Sequence, residues 1–113
     1  MPKVKNQNLS VPEQINRMVQ RIVKRFRPEK IILFGSQARG DAGPDSDIDL
    51  LVVMPVEGSV CEKRLDIRQA LHDMPLSIDV VVTPPEEFAW RKDVVGTIEW
   101  PATREGKVLY ARP

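Results

Sequence analysis

One long helical stripe and three short apolar runs set the pattern of this chain. Ile15, Met18, Val19, Ile22, Val23 and Phe26 recur at three- and four-residue spacing, the stripe of an amphipathic helix. Ahead of them Ser10-Val11-Pro12-Glu13 forms a capping box with proline in the first turn, and Arg27-Pro28-Glu29 breaks the pattern. The spacing therefore predicts a helix over 10–27. Three runs that are too short for helices follow: Ile31–Phe34, Ile48–Val53 and Ile78–Val82. In the second, Leu51 and Val53 fall on one face and Ile48, Leu50 and Val52 on the other, so a strand covered on both sides is expected.

A second helix is expected between the last two runs. Ser59 and Glu62 make another capping box, Leu65, Ala70 and Leu71 supply apolar positions toward the sheet, and Met74-Pro75 closes the unit. Past the third run, Thr83-Pro84-Pro85-Glu86-Glu87 reads as a helix start, with Phe88, Ala89 and Trp90 as an apolar cluster and Trp90 in the core. Val94 to Glu105 reads as helical but kinked or split at Trp100-Pro101, with Trp100 and Tyr110 as interface candidates. Helices alternating with short buried strands define an α/β chain without internal repeats. At 113 residues a single domain, 1–113, is expected.

The chemistry sits at the ends of the apolar runs. Ile31-Ile32-Leu33-Phe34 empties into Gly35-Ser36, where glycine lets the backbone approach an anion and Ser36 adds a hydroxyl donor. If Ser36-Gln37-Ala38-Arg39 begins a helical turn, its free N–H groups favour a phosphate, and Arg39 adds a charged contact. Gly40-Asp41-Ala42-Gly43-Pro44-Asp45 then reads as a flexible loop. Asp47 and Asp49 point the same way on the next strand, roughly 6–7 Å apart. Unpaired, two such carboxylates would repel each other. A hard cation such as magnesium removes the conflict, and two ions could clamp an in-line displacement with Asp79 of the third run as a further ligand.

Rival readings fail on position. An EF-hand starting at Asp45 would need glycine at Leu50 and glutamate at Val56, and nothing after Gly35 resembles the Gly-Lys-Ser/Thr of a P-loop. Either acidic pair or glycine-serine corner alone is commonplace; the ordered set of turn, paired aspartates and later aspartate carries the signal.

That ordered set resembles the signature of the polymerase-beta-type nucleotidyltransferase superfamily. The Gly-Ser-x-Ala-Arg-Gly start, the Ser46–Val53 strand and Arg104–Tyr110 near the end are most similar to its minimal nucleotidyltransferase branch. The resemblance runs from about Glu29 to Tyr110. It implies a polymerase-beta-like fold, a central mixed sheet flanked by helices, with a catalytic core over 29–83 and a C-terminal helical segment and tail over 84–113. Asp47 and Asp49 would hold magnesium, Asp79 would complete the second metal site or act as general base, and Gly35, Ser36 and Arg39 would cradle the phosphates. ATP as substrate rests on the resemblance alone. The resemblance further implies an antitoxin partnered with a HEPN-type toxin, some relatives attaching AMP to that toxin; a tyrosine hydroxyl is the expected acceptor. A binding antitoxin without catalysis, or a transferase acting on an antibiotic, is the alternative.

Charge and targeting leave this picture intact. Seventeen basic against sixteen acidic residues give no broad nucleic-acid footprint. Arg17, Arg21, Lys24 and Arg25 read as a solvated helix face. The lone Cys61 excludes an internal disulfide and is expected to be buried, and His72 is expected at a helix end. No run approaches the ~20 apolar residues of a membrane span, and Met1-Pro2-Lys3-Val4-Lys5 lacks a signal core, so the cytoplasm is expected. A homo- or hetero-oligomer is left open.

Overall fold

The computed structural model describes residues 10–43 and 46–113. In chain order the elements are α1 (Val11–Phe26), β1 (Lys30–Phe34), α2 (Ser36–Arg39), β2 (Ile48–Val53), α3 (Val60–Ala70), β3 (Ile78–Thr83), α4 (Pro85–Arg91), α5 (Glu99–Glu105) and β4 (Lys107–Ala111). The expected capping box forms at α1: Glu13 N–H donates to Ser10 Oγ at 3.3 Å, and Ser10 N–H donates to Glu13 Oε1 at 2.9 Å. Such a cap stabilises a helix by about 1 kcal/mol. Arg27 ends α1 in the left-handed region, φ 51°, and Pro28 turns the chain into β1.

The four strands form one mixed sheet in the order β3-β2-β1-β4. β1 pairs antiparallel with both neighbours, and β2 pairs parallel with β3, so α3 is the crossover that a parallel pair needs. Alternation divides the sheet's side chains between two cores. Ile48, Leu50 and Val52 pack with Ile31, Leu33, Val80 and Val82 against Met18 and Ile22 of α1 and Ile67 of α3. On the opposite face Ile32, Leu51 and Val53 pack with Phe88 of α4 and Ala102 of α5. Each fully buried side chain of this size contributes roughly 1.5–3 kcal/mol. The strand expected to be covered on both faces is the centre of the molecule. Among the described residues no helix is long and apolar enough to cross a membrane.

Several expectations need correction. In α3 the buried residue is Ile67, while Leu65 is exposed; two positions turn a helix by roughly 200°, so both cannot face the sheet. Cys61, one helical turn before Leu65, shares the outward face and is exposed, against the expected burial. The same geometry exposes Trp90 while Phe88 is buried, and the Arg91 guanidinium lies 5.6 Å from the Trp90 ring. Pro101 causes no kink because α5 begins only at Glu99, which puts the proline in the first turn, where its missing N–H is not needed. The tail expected after that helix instead ends in strand β4 beside β1. Pro44 and Asp45 of the expected loop, and Met1–Lys5, lie outside the described residues.

Candidate active site

β1 ends at Phe34, and the next residue, Gly35, turns into α2 with φ 75° and ψ −158°. Ala38 and Arg39 both donate backbone N–H groups to the Gly35 carbonyl at 3.1 Å, which makes Ser36–Arg39 the helical turn expected from sequence. The first N–H groups of any helix have no partner inside it, so those of Ser36 and Gln37 stand at an open end.

The register of the sheet brings the acids to this corner. Asp49 lies opposite Phe34 in β1 and opposite Asp79 in β3. Paired strands run about 4.8 Å apart, and residues matched in register project to the same face. Asp49 and Asp79 therefore stand side by side, on the face that carries Leu51 and Val53 deeper in. Asp47 precedes β2 by one residue and is exposed, while Asp49 and Asp79 are half-buried.

The electrostatics show the conflict expected of clustered acids. Partial burial pushes the Asp49 carboxyl above its ordinary range, the charges of Asp79 and Asp47 push it further, and Arg39 opposes them. Asp79 alone of the three has a cationic partner among the described residues: Arg64 Nη2 donates to its Oδ1 at 3.2 Å. Asp47, Asp49 and Asp79 supply only carboxylate oxygens, the donor chemistry of a hard divalent cation. Among the described residues, however, no three acidic, histidine or cysteine side chains stand close enough to share one ion. The acids are gathered on one side, not closed on one point.

Arg39 is placed beside the site but is not aimed at the acids. It is exposed and pairs with Asp41 at 3.3 Å and Glu105 at 3.8 Å. Sequence reasoning missed Arg64 altogether. Its signal was spacing: three residues before Ile67, an arginine at this position shares the helix face directed to the sheet.

A mixed sheet with helices on both faces, a glycine-serine turn at the end of one strand and carboxylates at the starts of the next two define an α/β protein with an acidic site at one end of its sheet. Comparison with known proteins gives the family. Residues 14–101 match the nucleotidyltransferase domain, and the chain belongs to that family and is a nucleotidyltransferase. It is 33% identical over 106 residues, 93% of this chain and 99% of the relative, to the Methanocaldococcus jannaschii protein named "putative protein adenylyltransferase MJ0604". Among solved structures, the toxin-antitoxin MntA-HepT superposes with a TM-score of 0.56 at 16% identity, over 89% of this chain and 73% of that one. A toxin-antitoxin with AMP-PNP superposes with a TM-score of 0.53 at 19% identity, over 86% and 73%. At such identity these two bear on the fold, which they match.

Proposed function

We propose that this nucleotidyltransferase is a magnesium-dependent protein adenylyltransferase, transferring AMP from ATP to a hydroxyl, a tyrosine in the first instance, of a HEPN-type toxin in the cytoplasm, and so acts as an antitoxin. The observation that carries the chemistry is the side-by-side placement of Asp49 and Asp79 against the Gly35 corner. The relative named as a protein adenylyltransferase, matched over nearly its whole length, supports a protein acceptor. The likeness to toxin-antitoxin structures, one of them with AMP-PNP, supports the partner and the nucleotide.

The roles follow from position. Asp47 and Asp49 would hold the cation, with Asp79 as a further ligand or as the base that takes the acceptor's proton. Bound magnesium would neutralise charge on the triphosphate and on the leaving pyrophosphate. Gly35 leaves room for the Asp49 carboxylate and turns the backbone so that it would cradle the nucleotide's phosphates, and Ser36 presents a hydroxyl and an N–H to them. Arg39 would need to leave Asp41 and Glu105 to reach a phosphate. No protein nucleophile is required, since the attacking oxygen belongs to the acceptor, and catalysis rests on positioning and charge neutralisation.

The test uses the purified chain, its toxin partner, ATP and magnesium, read by intact mass and peptide mapping. The expected result is a toxin heavier by one or more AMP units on a tyrosine, with no change when Asp49→Asn replaces the wild type. A toxin left unmodified yet fully silenced by Asp49→Asn would replace this reading with neutralisation by binding.

A further inference from the structure

Among the described residues β3 is an edge strand, with β2 on one side and no strand on the other. Ile48 N–H donates to Ser77 O at 2.8 Å and Met54 N–H to Thr83 O at 3.1 Å. With the parallel register between them, residues 77, 79, 81 and 83 bond toward β2, and Ile78, Val80 and Val82 turn their backbone groups to the open edge. Arg64 Nε donates to one of these outward carbonyls, Val80 O, at 2.8 Å. Nη2 of the same guanidinium donates to Asp79 Oδ1 at 3.2 Å.

These two bonds have a specific geometry. α3 packs on the sheet face that holds Val80 and Val82, whereas Asp79 alternates to the other face. The Arg64 side chain thus reaches around the edge of the sheet from one layer to the other. One bond anchors the planar guanidinium to rigid backbone, and the second then fixes where the Asp79 carboxylate sits. A surface arginine serving only as a counter-ion would need no backbone anchor. Asp79 stands next to Asp49 with like charge, and a side chain free to rotate would swing away from that neighbour.

We propose that Arg64 is a positioning residue for Asp79, holding Oδ1 from the strand's edge so that the other oxygen stays directed to the cation and acceptor beside Asp49. This rests on the metal-dependent reading above. It also makes a prediction opposite to simple electrostatics. Removing a positive charge beside a cation site should strengthen cation binding, whereas removing an orienting partner should weaken it, typically by about 10-fold or more.

The test is Mn2+ binding to the intact, nucleotide-free chain, followed by the electron paramagnetic resonance of free Mn2+, for wild type, Arg64→Gln, Arg64→Lys and Asp79→Asn. Arg64→Gln should bind Mn2+ about 10-fold more weakly or worse, toward the level of Asp79→Asn. In turnover, its kcat should fall while KM for ATP changes little. Arg64→Lys keeps the charge but cannot make both bonds in one plane, so it should recover only part of the affinity, and it decides the matter if Arg64→Gln fails to fold. Mn2+ bound by a folded Arg64 variant as tightly as by wild type, or tighter, would overturn the proposal alone. Absence of Mn2+ binding by the wild type would also overturn it, and transfer by the wild type that persists in chelator would overturn the metal-dependent reading together with it.

Discussion

A Cβ built on Gly35 would lie 2.2 Å from Asp49 Oδ2. The acid thus occupies the volume in which any other residue's side chain would begin, and the strand end and the carboxylate are fitted to each other. Gly35 also has φ 75° and ψ −158°, a region that only glycine enters readily, where a residue with a Cβ is strained by about 1–3 kcal/mol. Gly35→Ala should therefore push Asp49 aside, and misplacement of a reacting group by ~1 Å lowers rates about a hundredfold. Gly40 separates strain from displacement: its φ is 84°, but among the described residues nothing lies within 4 Å of its Cβ position. Gly40→Ala, strained by its left-handed backbone alone, should lose only about 1–2 kcal/mol and keep most of its activity. Melting curves and transfer rates for both variants check this, and an active Gly35→Ala enzyme would refute the fit.

Asp49 predicts a pH dependence of stability. Its carboxyl is raised by partial burial and by the charges of Asp79 and Asp47. Between the unfolded value and the raised folded value, the folded chain therefore binds more protons than the unfolded one. Stability contributed by this group falls as pH rises through that window, and the charged acid destabilises the cation-free fold above it. Asp49→Asn should raise the melting temperature of cation-free protein at neutral pH, the gain shrinking as pH falls through that window and vanishing below the ordinary carboxylate range. The same variant should abolish transfer. Thermal melts of both proteins from acid to neutral pH, in chelator, would show the two curves separate as pH rises.

Much of the fold was legible because burial and periodicity coincide. The Ile15–Phe26 stripe and the Ser10 cap give α1, and the two-faced apolar run of Ile48–Val53 gives the central strand. Asp47 and Asp49 could be read as neighbours because they lie two residues apart at the start of one strand. Asp79 could be expected as a third carboxylate, but its place directly beside Asp49 depends on the register of two distant strands, and a slip of one residue would turn Asp79 to the other face. β4 escaped notice because an exposed edge strand such as Lys107-Val108-Leu109-Tyr110-Ala111 carries little of the burial that marks a strand. Leu65 and Trp90 are exposed for a simpler reason: helical phase, not hydrophobicity, decides which side chains of α3 and α4 meet the sheet.

Glu99 is a buried anchor that composition gave no reason to single out. Its side chain is 3% exposed; Thr83 Oγ1 donates to Oε2 at 2.7 Å and Arg91 Nε to Oε1 at 3.0 Å. One carboxylate thereby ties α5 to the end of β3 and to α4. Glu99→Ala would leave the buried hydroxyl and the partly exposed guanidinium unpaired. Breaking a buried charged pair costs about 3–5 kcal/mol, and the exposure of Arg91 places this case near or below the lower end. Urea denaturation should show a loss of about 2–3 kcal/mol. A loss under about 0.5 kcal/mol, the size of an ordinary surface change, would show that the cluster is not an anchor.

The phase of α3 can be tested without reference to activity. Ile67 is fully buried against the sheet, while Leu65 and Cys61 face solvent on the opposite side. Ile67→Ala should cost about 2–5 kcal/mol because it opens a cavity beneath β2 and β3. Leu65→Ala should stay within about 0.5 kcal/mol, although it removes side-chain bulk of the same size. In the native protein Cys61 should react with a thiol reagent as fast as it does in denaturant, because no unfolding is needed to reach it. A helix turned by half would reverse all three results: Leu65→Ala would become the costly substitution and the thiol would be protected. The phase matters for the site, because the face that buries Ile67 is the one that carries Arg64 to the edge of β3.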